Sequence, residues 1–88
     1  MKVEIKKFGD ILISRPAGLE ASRVFAAYFK PSSLSEVIEF DFSGVAVLAP
    51  SWIDEFVTQI KDHFQNPISF LPCTNASVVE SLKFLAQP

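Results

Sequence analysis

The stretch Val37-Ile38-Glu39-Phe40-Asp41-Phe42-Ser43-Gly44-Val45-Ala46-Val47-Leu48-Ala49-Pro50-Ser51-Trp52-Ile53-Asp54-Glu55-Phe56 decides how this chain is put together. Its first six residues alternate, with Ile38, Phe40 and Phe42 on one side and Val37, Glu39 and Asp41 on the other. That is the period of a strand buried on one face only. Ser43-Gly44 is turn chemistry, a short apolar run covers 45–48, and a helix opens near Pro50-Ser51. From there Ile53, Phe56, Val57, Ile60 and Phe64 recur at helical spacing. No other segment has so large an apolar face, so this helix is expected in the middle of the sheet. Burying the stripe contributes on the order of 1.5 to 3 kcal/mol per side chain.

Outward from this stretch, composition sets the limits. With 88 residues, the chain is expected to form one domain over 1–88. A domain of that size buries only about 60 to 65 % of its unfolded surface, so it needs an apolar-rich interior. The sequence supplies one, being 49 % hydrophobic with nine Phe. Its single Cys cannot form an internal disulfide, so the core must do the stabilising and a reducing cytoplasm is the expected location. A net charge of −2 with scattered acids and bases lacks the clustered positive field that a phosphate backbone requires, which argues against nucleic acid. No signal peptide is visible, and no apolar run approaches the roughly 20 residues that span a bilayer.

Before the deciding stretch, Val3 and Ile5 alternate with Glu4 and Lys6, and Gly9-Asp10 separates them from Ile11-Leu12-Ile13. The pattern predicts a hairpin. Ser14-Arg15-Pro16 is a helix start, with Ser14 as the cap. Along that helix Ala21, Val24, Phe25, Tyr28 and Phe29 share one side, and Gly18 weakens the first turn, a place for close packing. Pro31 ends it. After the deciding stretch, Gln65-Asn66-Pro67 stops the second helix and Ile68 and Phe70 flank Ser69 in a last strand. A final helix follows, capped by Thr74 or Asn75, with Val78, Leu82 and Leu85 inward and Val79 and Ala86 on its flanks.

These elements make an α/β chain in the order β-β-α-β-α-β-α. Glu4, Lys6, Glu39, Asp41 and Ser69 are expected to share a polar sheet face, and Val3, Ile5, Ile38, Phe40, Phe42, Ile68 and Phe70 an apolar one. A parallel sheet covered on both sides would show continuous apolar runs instead. The expectation is therefore two layers: a four-stranded mixed sheet with helices mainly on one face.

Over residues 41–51 the chain resembles the STAS domain, the fold of bacterial anti-sigma-factor antagonists and of sulfate-transporter tails. In that family a strand ending Asp-Leu-Ser-x-Val is followed by Asp-Ser-Ser-Gly-Leu and a helix. The continuation Ser51-Trp52-Ile53-Asp54-Glu55-Phe56 is similar to the small bacterial STAS-like family of unknown function, whose helix opens with Ser, an aromatic, Asp-Glu and an apolar residue. Ser14-Arg15 is similar to a Ser-Arg ahead of that family's first helix. The likeness extends over residues 37–64. It departs where Ala49 takes the place of the motif's Asp, Pro50 that of the phosphorylated Ser, and Trp52 that of the Gly. Proline has no hydroxyl, so the usual phosphorylation switch cannot operate there.

What the resemblance implies is a STAS-like, non-catalytic interaction module of bacterial regulation. It implies a partner such as a histidine-kinase-like ATPase or an anti-sigma-type regulator, met at Ala49, Pro50, Ser51, Trp52 and Glu55. The residues bear on this independently. Trp52 lies about 100° from the centre of the apolar stripe, so it is expected to be half exposed beside Gln59 and His63, either a rim residue or a binding anchor. Ser51 stands three residues before Asp54, the spacing of a capping box, and is the alternative phosphosite. Asp41 is expected to accept N–H bonds from its own turn, at the carboxyl end of a strand where open α/β sheets bind ligands. Glu55 projects away from the stripe as a favourable helix-start charge, and Arg15 is expected as a solvated charge, the alternative being a pair with an acid of the polar face or of a partner. His63 and Cys73 stand alone, with no ligand set, activating base or cofactor motif beside them. No enzyme, metal or cofactor is expected. Two further expectations are a homodimer or other homo-oligomer joined through Trp52 or a free sheet edge, and a small-ligand sensor.

Overall fold

A computed structural model describes residues 1–85. Its elements are β1 (Lys2–Glu4), a 3-10 turn (Ile5–Phe8), β2 (Ile11–Leu12), α1 (Arg15–Tyr28), β3 (Ile38–Asp41), β4 (Val47–Leu48), α2 (Pro50–His63), β5 (Ile68–Phe70) and α3 (Ala76–Leu85). The chain is α/β, as its patterning predicts. The sheet is not the expected four-stranded mixed one. β1, β3 and β5 form a three-stranded sheet in the order β1-β3-β5, while β2 and β4 form a separate pair, and every pairing is parallel.

The expected hairpin is therefore absent, for a physical reason. Lys2 pairs with Glu39 and Ile11 with Val47, so both halves of the amino-terminal segment run alongside the segment that carries β3 and β4. The register shifts by one residue between the two pairings, because the 3-10 turn takes one residue more than the facing turn at Ser43–Gly44. Gly9-Asp10 is a kink in one interrupted strand, not a reversal. Across it, Ser43-Gly44 closes a β-turn with the Val45 N–H on the Phe42 carbonyl at 3.0 Å. Gly44 sits at the third position with φ of 85°, the left-handed conformation a type II turn requires.

The face assignments hold. Val3, Ile5, Ile38, Phe40 and Phe42 are buried, with Ile68 and Phe70 packed against them. Glu4, Glu39, Asp41 and Ser69 lie on the opposite face with exposed Lys2, whereas Lys6 has left the strand for the 3-10 turn. The apolar face meets the helices through Phe40, whose ring stands edge-on to Phe25 of α1 at 6.0 Å and to Phe56 of α2 at 5.5 Å. Ile53, Phe56, Val57 and Ile60 are all buried and Phe64 is packed at the core's edge, so α2 is the central helix as expected.

α1 is rotated relative to the expected face. Its buried residues are Gly18, Ala21, Ser22 and Phe25, while Val24 and Tyr28 are 39 % and 78 % exposed. Small residues set this choice, because helix–helix spacing depends on the side chains at the contact. A Cβ on Gly18 would run into the carbonyl oxygen of Trp52, so glycine is what lets α1 lie against α2. Ser22 tolerates burial because its hydroxyl donates to the Leu19 carbonyl at 2.6 Å.

Side chains rather than a strand close the far edge of β4. The Leu48 N–H donates to Ser77 Oγ at 2.9 Å, Ser77 and Ser81 hydroxyls donate to the Leu48 carbonyl, and Asn75 Nδ2 reaches the Val45 and Ala46 carbonyls at 3.1 and 3.2 Å. Asn75 also caps α3, accepting the Val78 N–H at 3.2 Å. Val78 is buried, Leu82 and Leu85 are packed on the core and Val79 is half-buried, while Ala86 lies outside the described residues.

Candidate functional site

β2 runs directly into α1 and β4 into α2, and the two strands are neighbours, so both helices start side by side at the carboxyl ends of their strands. Ser14 caps α1 as expected, accepting the Ala17 N–H on its hydroxyl at 3.2 Å, with Pro16 in the first turn. The Ala49 N–H donates to the Leu12 carbonyl at 2.8 Å, fixing the two starts relative to each other. Arg15 then bridges them. Its Nη1 donates to Asp54 at 2.8 Å and to Glu55 at 3.4 Å, and Glu55 also accepts from Gln59 at 2.8 Å. Hydrogen bonds to Asp54 first and Glu55 second raise the guanidinium's pKa further above its already high value. Arg15 thus pairs with acids of α2 rather than of the polar sheet face. Its side chain stays half exposed, with no bond of the described residues on Nη2 or Nε.

Two expectations at this place are corrected. Trp52 is not half exposed: at 1 % exposure it is among the largest fully buried side chains. Its ring stacks on Phe56 at 4.9 Å, and Phe8 stands 6.5 Å away. On α2 alone, Trp52 lies at the edge of the face turned to the sheet. α1 covers the flank as well, and the buried arc widens to include Trp52. It therefore cannot be a surface anchor without unpacking the core.

Second, Ser51 and Asp54 form no capping box. Ala49 is the cap residue, Pro50 the first helical residue, and no side chain caps the start. Pro50 brings no N–H, and the N–H groups of Trp52 and Ile53 turn back to the Ala49 carbonyl at 3.1 and 3.3 Å. Few donors remain to receive an anion, and Ser51 faces Asp54 and Glu55 three and four residues on, where an added phosphate meets like charge. Glu55 points off the apolar stripe as expected and is engaged there by Arg15 and Gln59. What the rim does present is Arg15, exposed Pro16 and Pro50, and half-buried Ala49, Ser51 and Asp54.

Asp41 has the turn role. It accepts the Ser43 N–H at 3.0 Å and hydroxyl at 2.8 Å on one oxygen, with Lys2 Nζ 3.3 Å from the other. The Ser43 bonds, and after them Lys2, hold its carboxyl below the usual range; Ser32 does the same for Glu36 through its N–H and hydroxyl. A depressed carboxylate supports the fold above its unfolded pKa and loses that support as pH falls through the folded value. Stability is thus expected to be steady from neutral pH down to about pH 4 and to drop below it. Asp41→Asn should flatten that drop, a comparison of urea midpoints at neutral and strongly acidic pH.

Beyond that turn, Phe42, Ser43, Gly44, Val45, Thr74 and Asn75 line a cleft of about 410 Å³ at the carboxyl ends of β3 and β5. Half-buried Cys73 is at its wall and has no histidine there. His63 is exposed at the end of α2. Among the described residues no group of three or more His, Cys, Asp or Glu side chains is placed to hold a metal ion, and no helix is long and apolar enough to cross a membrane. Sequence reading missed Asn66, which is buried and donates to the Ser33 and Glu36 carbonyls at 2.7 and 2.8 Å; its only signal was the Gln-Asn-Pro helix stop.

The chain matches no family model, no curated protein and no solved structure.

Proposed function

We propose that this protein is a STAS-like, non-catalytic protein-binding module of a bacterial regulatory system, working in the cytoplasm on a partner such as a histidine-kinase-like ATPase or an anti-sigma-type regulator. The observation that supports this best is the pair of helix starts latched by Arg15 to Asp54 at 2.8 Å. A latched rim is pre-organised, so little ordering cost falls on a complex. It offers a half-exposed arginine, one of the residue types that most often carry binding energy, between two rigid prolines. Pro50 at the motif's hydroxyl position leaves binding unswitched by phosphate at that residue.

The test is titration of isotopically labelled protein with a purified histidine-kinase-like ATPase of the anti-sigma type. Amide shifts are expected at Arg15, Ala49 and Ser51, and Arg15→Glu is expected to abolish them while leaving the circular dichroism of the free protein unchanged. Shifts confined to other faces, or a variant that binds as well as the parent, would refute the rim as the docking site. A second reading, a small-ligand sensor, is favoured by the cleft at the ends of β3 and β5. A ligand held there raises the melting temperature in proportion to its occupancy.

A further inference from the structure

The edges of the two sheets are not treated alike. β4 has its far side closed by Asn75, Ser77 and Ser81, and β1 carries exposed Lys2 and Glu4, charges that discourage a strand from adding there. β2 has neither protection. Its Asp10 and Leu12 carbonyls accept from Ala46, Val47 and Ala49 on the β4 side. In a parallel ladder the N–H and C=O of one residue point the same way, so those of Ile11 and Ile13 point outward. No group of the described residues bonds to them, and their side chains are 59 % and 60 % exposed. Ile13 is left out for a local reason. It precedes the cap of α1, where a hydrophobic staple would pack it on the fourth helical residue, but that residue is Gly18. At α2 the same two positions are Leu48 and Ile53, both buried.

We propose that this edge pairs with the same edge of a second copy, antiparallel, about a two-fold axis beside Leu12. The spacing is self-complementary: Ile11 faces Ile13 of the other copy and Ile13 faces its Ile11. Each facing pair exchanges both backbone hydrogen bonds, and the two isoleucine pairs cover one another beside exposed Val47. Charge selects the same arrangement. Asp10 precedes the edge and has no ion pair among the described residues, while Arg15 follows it with two nitrogens free. Antiparallel pairing brings the acidic end of each copy to the basic end of the other; parallel pairing sets like charges together. The edge is short, well under the roughly 800 Å² per partner of a standard interface, so the dimer is weak and forms toward millimolar concentration.

Sedimentation velocity from micromolar to millimolar protein is the test, read beside amide hydrogen exchange of the unmodified chain. The sedimentation coefficient is expected to rise with concentration, and the Ile11 and Ile13 amides to exchange more slowly as it does. Ile13→Lys is expected to remain monomeric throughout, whereas Tyr28→Lys, on an exposed face elsewhere, associates like the parent. A monomer at millimolar concentration overturns the proposal. So does association that survives Ile13→Lys, or association that leaves the Ile11 and Ile13 amides unprotected. Because Ile13→Lys leaves Arg15 in place, its effect is separable from failure of the rim to bind a partner.

Discussion

Trp52→Ala is expected to lower the stability of the fold by about 3 to 5 kcal/mol, the usual cost of truncating a large core aromatic. A domain of this size has roughly 5 to 15 kcal/mol in total, so the variant should melt some 15 to 30 °C lower, or fail to fold. The side chain is 1 % exposed, with Phe56 stacked on it and Phe8 beside it. α1 already lies against the α2 backbone at Gly18, which limits how far the two helices can close on the hole. Thermal unfolding followed by circular dichroism measures the change. Loss of binding in this variant would report unfolding rather than a lost contact.

Gly18→Ala is expected to act in the direction opposite to the ordinary rule. In a helix interior, alanine for glycine gains about 0.5 to 1 kcal/mol. Here the new methyl meets the Trp52 carbonyl oxygen, a backbone atom that cannot swing aside, and α1 must move off α2. Overpacking of this kind costs about 1 to 3 kcal/mol, which outweighs the propensity gain. Urea denaturation should show a lower midpoint with an unchanged slope. A higher midpoint would mean that the two helices do not approach at this point.

The two variants fall at the place where sequence reading went astray. The strand Ile38-Glu39-Phe40-Asp41 and the stripe Ile53, Phe56, Val57 and Ile60 are legible because the buried residues of each fall on one periodic face. Ser14 is legible as a cap, and Asn75 as one of two candidates with Thr74, because capping is local chemistry. Trp52, Val24 and Tyr28 were misplaced because α1 and α2 bury a second surface against each other, chosen by the small residues Gly18 and Ser22, which hydrophobic counting scores as neutral. The hairpin was misread because Gly9-Asp10 looks the same whether a chain reverses or merely kinks; only the partner strand decides. Of the rim, Ala49, Pro50 and Ser51 are named by the sequence as partner-facing and Arg15 only as a structural residue beside the cap, and nothing in the sequence points to the latch. The pairing of Arg15 with Asp54 crosses 39 residues and depends on two helix starts lying on adjacent parallel strands.

Trp52 is the chain's only tryptophan, so its fluorescence in the native protein tests most directly whether α1, the 3-10 turn and α2 enclose a common core beneath the latched rim. Short-wavelength emission, unaffected by iodide until the protein is unfolded, is the predicted result. Long-wavelength emission quenched by iodide in the folded protein would contradict it, and would return Trp52 to the surface.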